Sequence, residues 1–230
     1  AAKRGARAVI VMPRTTPSIK VDACRARGAE VVLHGDAFDE ALAQAKILEA
    51  EQGLTFLHPF DDPDVIAGQG TIGKEILEQH TGPIEAIFVP VGGGGLAAGI
   101  ATFVKYLRPG TKVIGVEPED AACMAAALAA DTRVSLPSVG LFADGVAVRQ
   151  AGEETFRLCR EHLDEVITLA TDAICAAAQD LFDHTPALPD PSGAPPPPRA
   201  PPHADRAGGR GPPLAHSTVV YTPLYPLRTP

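Results

Sequence analysis

At 230 residues, with 45% hydrophobic and 21% charged residues, the chain has room for one large globular domain or two small ones. A formal net charge of -8 without any dense Lys/Arg run argues against a nucleic-acid footprint and fits a small-molecule enzyme. No apolar stretch approaches the roughly 20 residues of a bilayer span, and the opening Ala-Ala-Lys-Arg runs into a short strand-like segment, not the apolar core of a signal peptide.

Residues 8–12 predict a strand, and 18–27 a helix entered through Thr16-Pro17 and stopped at Gly28. A strand over 30–33 follows, then an amphipathic helix over 36–52 closed by Gly53, and a strand over 54–57. Further on come a helix over 65–80, a strand over 85–91, a helix over 96–107 ending at Pro109-Gly110, and a strand over 112–116. A helix over 152–162, a strand over 165–170 and a helix over 172–182 complete the pattern. Strands alternating with helices at this spacing predict right-handed βαβ units, hence an α/β fold with parallel twisted sheets and flanking helices. From Pro186 onward the character changes: 14 of the 23 prolines lie there, including the run 195–198, and no apolar periodicity survives. Residues 195–230 are therefore expected to be disordered. Cys24, Cys123, Cys159 and Cys175 lack metal-like or CxxC spacing and read as isolated thiols in a reducing compartment, with the cytoplasm as the expected location.

The segment that carries most chemistry is Val-Pro-Val-Gly-Gly-Gly-Gly-Leu, residues 89–96, where four consecutive glycines separate a strand from a helix. Backbone N–H groups of such a loop can turn toward an anion, and the helix N-terminus adds the positive end of its dipole. The loop lacks the GK[ST] ending of a Walker A motif and the spacing of the GxGxxG dinucleotide fingerprint. Its place at the carboxyl end of a parallel strand is where open α/β sheets bind ligands. A tight turn without a ligand is the competing reading of these residues.

Several further strings occur with it in one order: Ile-Val-Met-Pro-Arg-Thr-Thr-Pro-Ser-Ile-Lys (10–20), Gly-Ala-Glu-Val-Val-Leu-His-Gly (28–35) and His-Pro-Phe-Asp-Asp-Pro-Asp-Val-Ile-Ala-Gly-Gln-Gly-Thr (58–71). Gly-Val-Glu-Pro (115–118) and Phe-Ala-Asp-Gly-Val-Ala-Val (142–148) follow the tetraglycine. Together they resemble the threonine and serine dehydratase family over residues 1–194. The tetraglycine is unlike the Gly-Thr-Gly-Gly-Thr loop of the related cysteine synthases and the Gly-Gly-Gly-Ser loop of tryptophan synthase β chains.

The resemblance implies a two-domain fold like that of tryptophan synthase β chains, with pyridoxal 5'-phosphate held between the domains. Residues 1–57 are then part of the smaller cofactor domain, 58–194 the larger one, and 195–230 a proline-rich tail. It implies that Gly92, Gly93, Gly94, Gly95 and Leu96 bind the cofactor phosphate, and that Ser192 hydrogen-bonds the pyridine nitrogen, with Asp190 where the family has a glutamate. A hydroxyl at that nitrogen does not favour ring protonation, which suits β-elimination, where electrons leave with the hydroxyl group.

One part of the family pattern is missing. The family's cofactor-linked lysine stands in a Ser-Phe-Lys-x-Arg-Gly-Ala-like string followed by a Ser-x-Gly-Asn-His loop, and neither occurs here. The six lysines, Lys3, Lys20, Lys46, Lys74, Lys105 and Lys112, read as solvated side chains, so no catalytic residue is assigned. The chain is expected to be a fragment lacking the N-terminal lysine segment and inactive alone. Its tail departs too: Pro195 follows Pro-Ser-Gly-Ala directly, as a shifted reading frame in a GC-rich coding sequence would give.

Among smaller signals, Glu117 matches a cation ligand of the related serine racemases, with Ala121 as a carbonyl partner. Cys123 stands where the third, acidic ligand would be, so no metal is expected. His58 reads as a structural loop histidine, and Asp144 with Gly145 as either a pocket-closing segment or a turn. The function implied is deamination of L-threonine or L-serine to a 2-oxo acid and ammonia, in isoleucine biosynthesis. A small amino-acid substrate is expected, no nucleic acid or membrane, and a homo-oligomer in the complete enzyme. The alternatives are a serine racemase, or a non-catalytic remnant that binds a phosphate-bearing ligand or a partner.

Overall fold

The computed structural model describes residues 1, 4–36, 38–184, 188–189, 218–220 and 224–225. They form two compact units, Ala1–Leu57 and His58–Pro230. In the first, strands β1 (Val9–Met12) and β2 (Glu30–Leu33) pair in parallel, Val9 beside Glu30 and Met12 beside Leu33. Helix α1 (Ser18–Arg25) connects them, and α2 (Phe38–Gln52) follows. Pro17 caps α1 with its fixed φ of -52°, as its position just before the helix predicts.

The second unit holds a four-stranded parallel sheet in the order β5-β4-β3-β7, made of β3 (Ala86–Pro90), β4 (Lys112–Pro118), β5 (Glu165–Leu169) and the short β7 (Thr218–Val220). The expected α/β class with parallel sheets is what the structure shows. Helices α3 (Pro63–Gln79), α4 (Gly95–Leu107), α5 (Cys123–Ala130), α6 (Glu153–His162) and α7 (Thr171–His184) accompany it, and β6 (Leu188–Pro189) pairs antiparallel with β8 (Leu224–Tyr225).

Period-two alternation sorts the strand residues between two apolar clusters. Ile87, Val89 and Val113 join the large core with Ala97, Ile100, Val104, Met124 and Phe156 from the helices. Phe88, Ile114 and Val116 form a smaller cluster on the opposite face. Apolar residues on both faces are what a parallel sheet covered by helices requires. Helices α3 and α4 approach closely at Gly99, where an added Cβ would run into the Ile66 carbonyl and lie 2.6 Å from the Gly70 nitrogen.

Four sequence expectations change. Residues 54–57 are not a strand: the Leu54 amide donates to the Glu49 carbonyl and the Phe56 amide to the Glu49 carboxylate, so local bonds replace a ladder. Strand β4 continues through Glu117 to Pro118, past the expected stop at 116. Helix α5 was not expected at all, because Cys-Met-Ala-Ala-Ala-Leu-Ala-Ala has no polar face to give a period, although alanine favours helix. Helix α3 begins two residues early, at Pro63, because the Asp62 carboxylate accepts from the Asp64 and Val65 amides. Of the stretch expected to be disordered, β7 and β8 are described. The rest of it, with Asp190 and Ser192, lies outside the described residues.

Candidate functional site

The tetraglycine joins β3 to α4, and Gly94 is the N-cap residue with φ 98°, a left-handed conformation that favours glycine. The carbonyls of the loop are taken up by the protein behind it. The Cys123 thiol donates to Gly92 O at 3.4 Å, and the Thr155 hydroxyl and Gly152 amide donate to Gly93 O at 2.6 and 3.3 Å. The Cys159 thiol approaches Gly94 O at 3.9 Å, and the Ala98 amide donates to the same oxygen at 2.8 Å. The N–H groups are disposed otherwise: those of Gly92, Gly93, Gly94, Gly95 and Leu96 have no acceptor among the described residues. Gly93, Gly94 and Gly95 are nonetheless buried. An unpaired buried amide costs about 1–3 kcal/mol, so the three at Gly93, Gly94 and Gly95, beside a helix N-terminus, leave donors that an anion could satisfy.

Packing, as well as ligand access, demands the glycines. A Cβ on Gly93 would enter the Phe60 ring, one on Gly94 would lie 2.7 Å from Met124 Cε, and one on Gly95 would lie 2.9 Å from Phe60 O. On Gly92 it would meet Val146 Cα at 3.0 Å, at the end of the turn Asp144–Val146. The segment with Asp144 and Gly145 is thus a 3-10 turn whose last residue backs the loop.

The motif His-Pro-Phe-Asp-Asp supplies the support. His58 Nδ1 accepts from the Phe60 and Asp61 amides at 3.3 and 2.8 Å, which makes this histidine a loop residue. Asp61 accepts from the first amides of α6, those of Glu153, Glu154 and Thr155, at 2.8, 2.9 and 3.1 Å. Sequence reading missed the parts played by Phe60, Asp61, Cys123, Thr155 and Cys159. The motif string was the available signal for the first two; nothing local marks the others.

Glu117 is 1% exposed and caps α5, accepting from the Met124 and Ala125 amides, both at 2.8 Å. Burial raises its pKa from 4.5 to about 7, opposed by those two amides and by the Cys123 thiol. Burial, then the charge of Glu117, pushes Cys123 up to about 12, and the same two causes in the same order raise Cys159. Both thiols therefore keep the proton that each offers to the loop. Among the described residues no group of three or more His, Cys, Asp or Glu side chains could hold a metal ion. Lys46, Lys74 and Lys105 are engaged with Glu49, Glu78 and Asp164 respectively, and Lys112 is exposed.

A glycine-rich strand-to-helix loop at the carboxyl end of β3 stands where open α/β sheets bind ligands, and comparison with known proteins specifies the family. The family model for pyridoxal-phosphate dependent enzymes matches residues 1–200, and the chain belongs to that family. It is 60% identical over 197 residues to the biosynthetic L-threonine dehydratase IlvA of Burkholderia multivorans, covering 84% of this chain and 39% of that relative. The processed form of threonine deaminase isoform 2 from Solanum lycopersicum superposes with a TM-score of 0.77 at 52% identity, over 83% of this chain and 52% of that one. Maize serine racemase gives 0.80 at 32% identity, over 84% and 58%. The chain thus spans about two fifths of the length of the bacterial relative. The residues present fit the family's cofactor at its phosphate, because a dianion supplies the acceptors that the unpaired amides of 92–96 lack. Among the described residues no helix is long and apolar enough to cross a membrane.

Proposed function

We propose that the chain is the phosphate-binding portion of a pyridoxal-phosphate enzyme that converts L-threonine or L-serine to a 2-oxo acid and ammonia. The observation that carries this reading is the run of unpaired amides from Gly92 to Leu96 at the head of α4. In it, Gly92, Gly93, Gly94, Gly95 and Leu96 donate backbone hydrogen bonds to the cofactor phosphate, and the α4 dipole adds to the attraction. By the family resemblance, the hydroxyl of Ser192 would hold the pyridine nitrogen, where it would not favour ring protonation. When bound, the cofactor withdraws electrons from the amino acid α-carbon, so that proton loss and departure of the β-hydroxyl become accessible. The 60% identity to a threonine dehydratase, against 32% to a serine racemase, supports elimination over racemisation. Free thiols at Cys24, Cys123, Cys159 and Cys175 support a reducing, cytoplasmic setting.

No lysine of the chain matches the family's cofactor-linked position, so the chain by itself should bind phosphate without turnover. The test is titration of the purified 230-residue chain with pyridoxal 5'-phosphate, inorganic phosphate and pyridoxal. The first two should bind and pyridoxal should not, and L-threonine should give no 2-oxobutanoate above the free-cofactor background. Gly93→Val should abolish binding, because its side chain would enter the Phe60 ring. Equal binding of pyridoxal and its phosphate would refute the cradle, and turnover at ordinary enzyme rates would refute the lysine argument.

A further inference from the structure

Every peptide bond among the described residues is trans, and in a planar trans peptide the carbonyl of one residue and the N–H of the next point in opposite directions. Whatever holds the carbonyls of Gly92, Gly93 and Gly94 therefore also aims the N–H groups of Gly93, Gly94 and Gly95. Three side chains do this from behind the loop, and they are not equal. The thiols of Cys123 and Cys159 are weak donors at 3.4 and 3.9 Å. The Thr155 hydroxyl donates to Gly93 O at 2.6 Å and is wholly buried, at 0% exposure.

We propose that Thr155 is a positioning residue of the phosphate cradle: its hydroxyl fixes the Gly93–Gly94 peptide so that the Gly94 N–H faces the cofactor phosphate. The inference rests on the phosphate reading above and names the side chain that organises that site. Thr155 is itself held from the other side. Its amide donates to Asp61, which also pins the Glu153 and Glu154 amides and is tied through its own N–H to His58 Nδ1. The Gly152 amide adds a second donor to Gly93 O from the residue just before α6. The orientation of one peptide is thus transmitted from the His58 loop through the first turn of α6. A rigid donor that needs no reorganisation when the anion arrives is how binding is strengthened without a new contact.

A packing role for Thr155 makes the opposite prediction, which two near-isosteric variants separate. Thr155→Val keeps the shape and removes the hydroxyl; Thr155→Ser keeps the hydroxyl and removes a methyl. Positioning predicts that Thr155→Val binds pyridoxal 5'-phosphate and inorganic phosphate about tenfold more weakly, while Thr155→Ser binds within about twofold of the parent. NMR of the 230-residue chain supplies a readout that a purely structural role would not move. Inorganic phosphate should shift the Gly94 amide strongly in the parent and in Thr155→Ser, and weakly in Thr155→Val. Equal phosphate affinity of parent and Thr155→Val, or weakening by Thr155→Ser instead, overturns the inference and leaves the cradle standing. A parent chain that is folded and binds neither phosphate nor pyridoxal 5'-phosphate overturns both. Should Thr155→Val fail to fold, the parent titration alone decides, because a Gly94 amide unmoved by bound phosphate contradicts the proposal.

Discussion

The two units of the chain are built from the same βαβ vocabulary yet differ in how much they bury. In the unit 1–57 the strands β1 and β2 are half-buried or exposed along their length, and only Val21 and Ala41 fall into the buried class among the described hydrophobic residues. In the unit that begins at His58, β3 and β4 are buried almost throughout, and Ile87, Val89, Ile100, Val104 and Val113 are all 0% exposed. A two-stranded sheet offers little area for burial, whereas a larger sheet with apolar residues on both faces and helices packed into its main cluster supplies a core. The proposed anion cradle, Gly92 to Leu96, sits on the second kind of scaffold, where backbone groups can be held in fixed orientations.

One chemical change made in both units sharpens this contrast most. Ile87→Ala should cost about 4 kcal/mol, the range for a fully buried isoleucine, and half-buried Ile10→Ala about 1–2 kcal/mol. Denaturant unfolding followed by probes in each unit measures both, and equal losses would refute the difference in burial. Hydrogen exchange is the companion measurement. The amides of β1 and β2 should open at about 3 kcal/mol less than those of β3 and β4, so exchange there is roughly a hundredfold faster.

The pH dependence belongs to the second unit and has a definite sign. Glu117 has its pKa raised from 4.5 to about 7, so the fold favours the protonated carboxyl. Its contribution is fully present below pH 4.5 and is lost as the pH rises through about 7, a change on the order of 3 kcal/mol. Urea midpoints across that window should fall in the parent and stay flat in Glu117→Gln, which keeps the shape and one acceptor for the α5 amides. A flat parent profile would remove the buried-acid account.

The smallest contrast concerns ion pairs. Lys105 lies 2.7 Å from Asp164 with side chains 18% and 33% exposed, and it also donates to the Thr111 carbonyl. Arg7 and Glu30, also 2.7 Å apart, are 55% and 51% exposed. Lys105→Met should cost about 1 kcal/mol and Arg7→Met only a few tenths, both by thermal unfolding. Burial works against the Asp164 carboxylate, but Lys105 and the Val113 amide outweigh it and lower its pKa from 3.8. That contribution is therefore present at neutral pH and fades as the pH falls through the acid range. Equal effects of the two variants would show that exposure does not decide here.

The sequence by itself determined the alternation of strands and helices, the parallel sheet and the tetraglycine at a strand-to-helix junction. These are local matters: period, breaker residues and helix signals act over a few neighbours. It also carried the family through strings such as His-Pro-Phe-Asp-Asp and Gly-Val-Glu-Pro, although only the folded chain shows what those residues do. Helix α5 escaped because an all-small, apolar helix has no periodicity to read, and its amides are satisfied by Glu117 from the preceding strand. The strand expected over 54–57 failed because a short apolar run becomes a strand only where another backbone is available to pair with it. Tertiary structure alone decided which peptide groups of the loop face inward. Thr155 is separated from Gly93 by 62 residues and Asp61 from Thr155 by 94, so no spacing rule could have joined them. The direction of a backbone dipole is fixed by whatever packs behind it, and that partner exists only after the chain has folded.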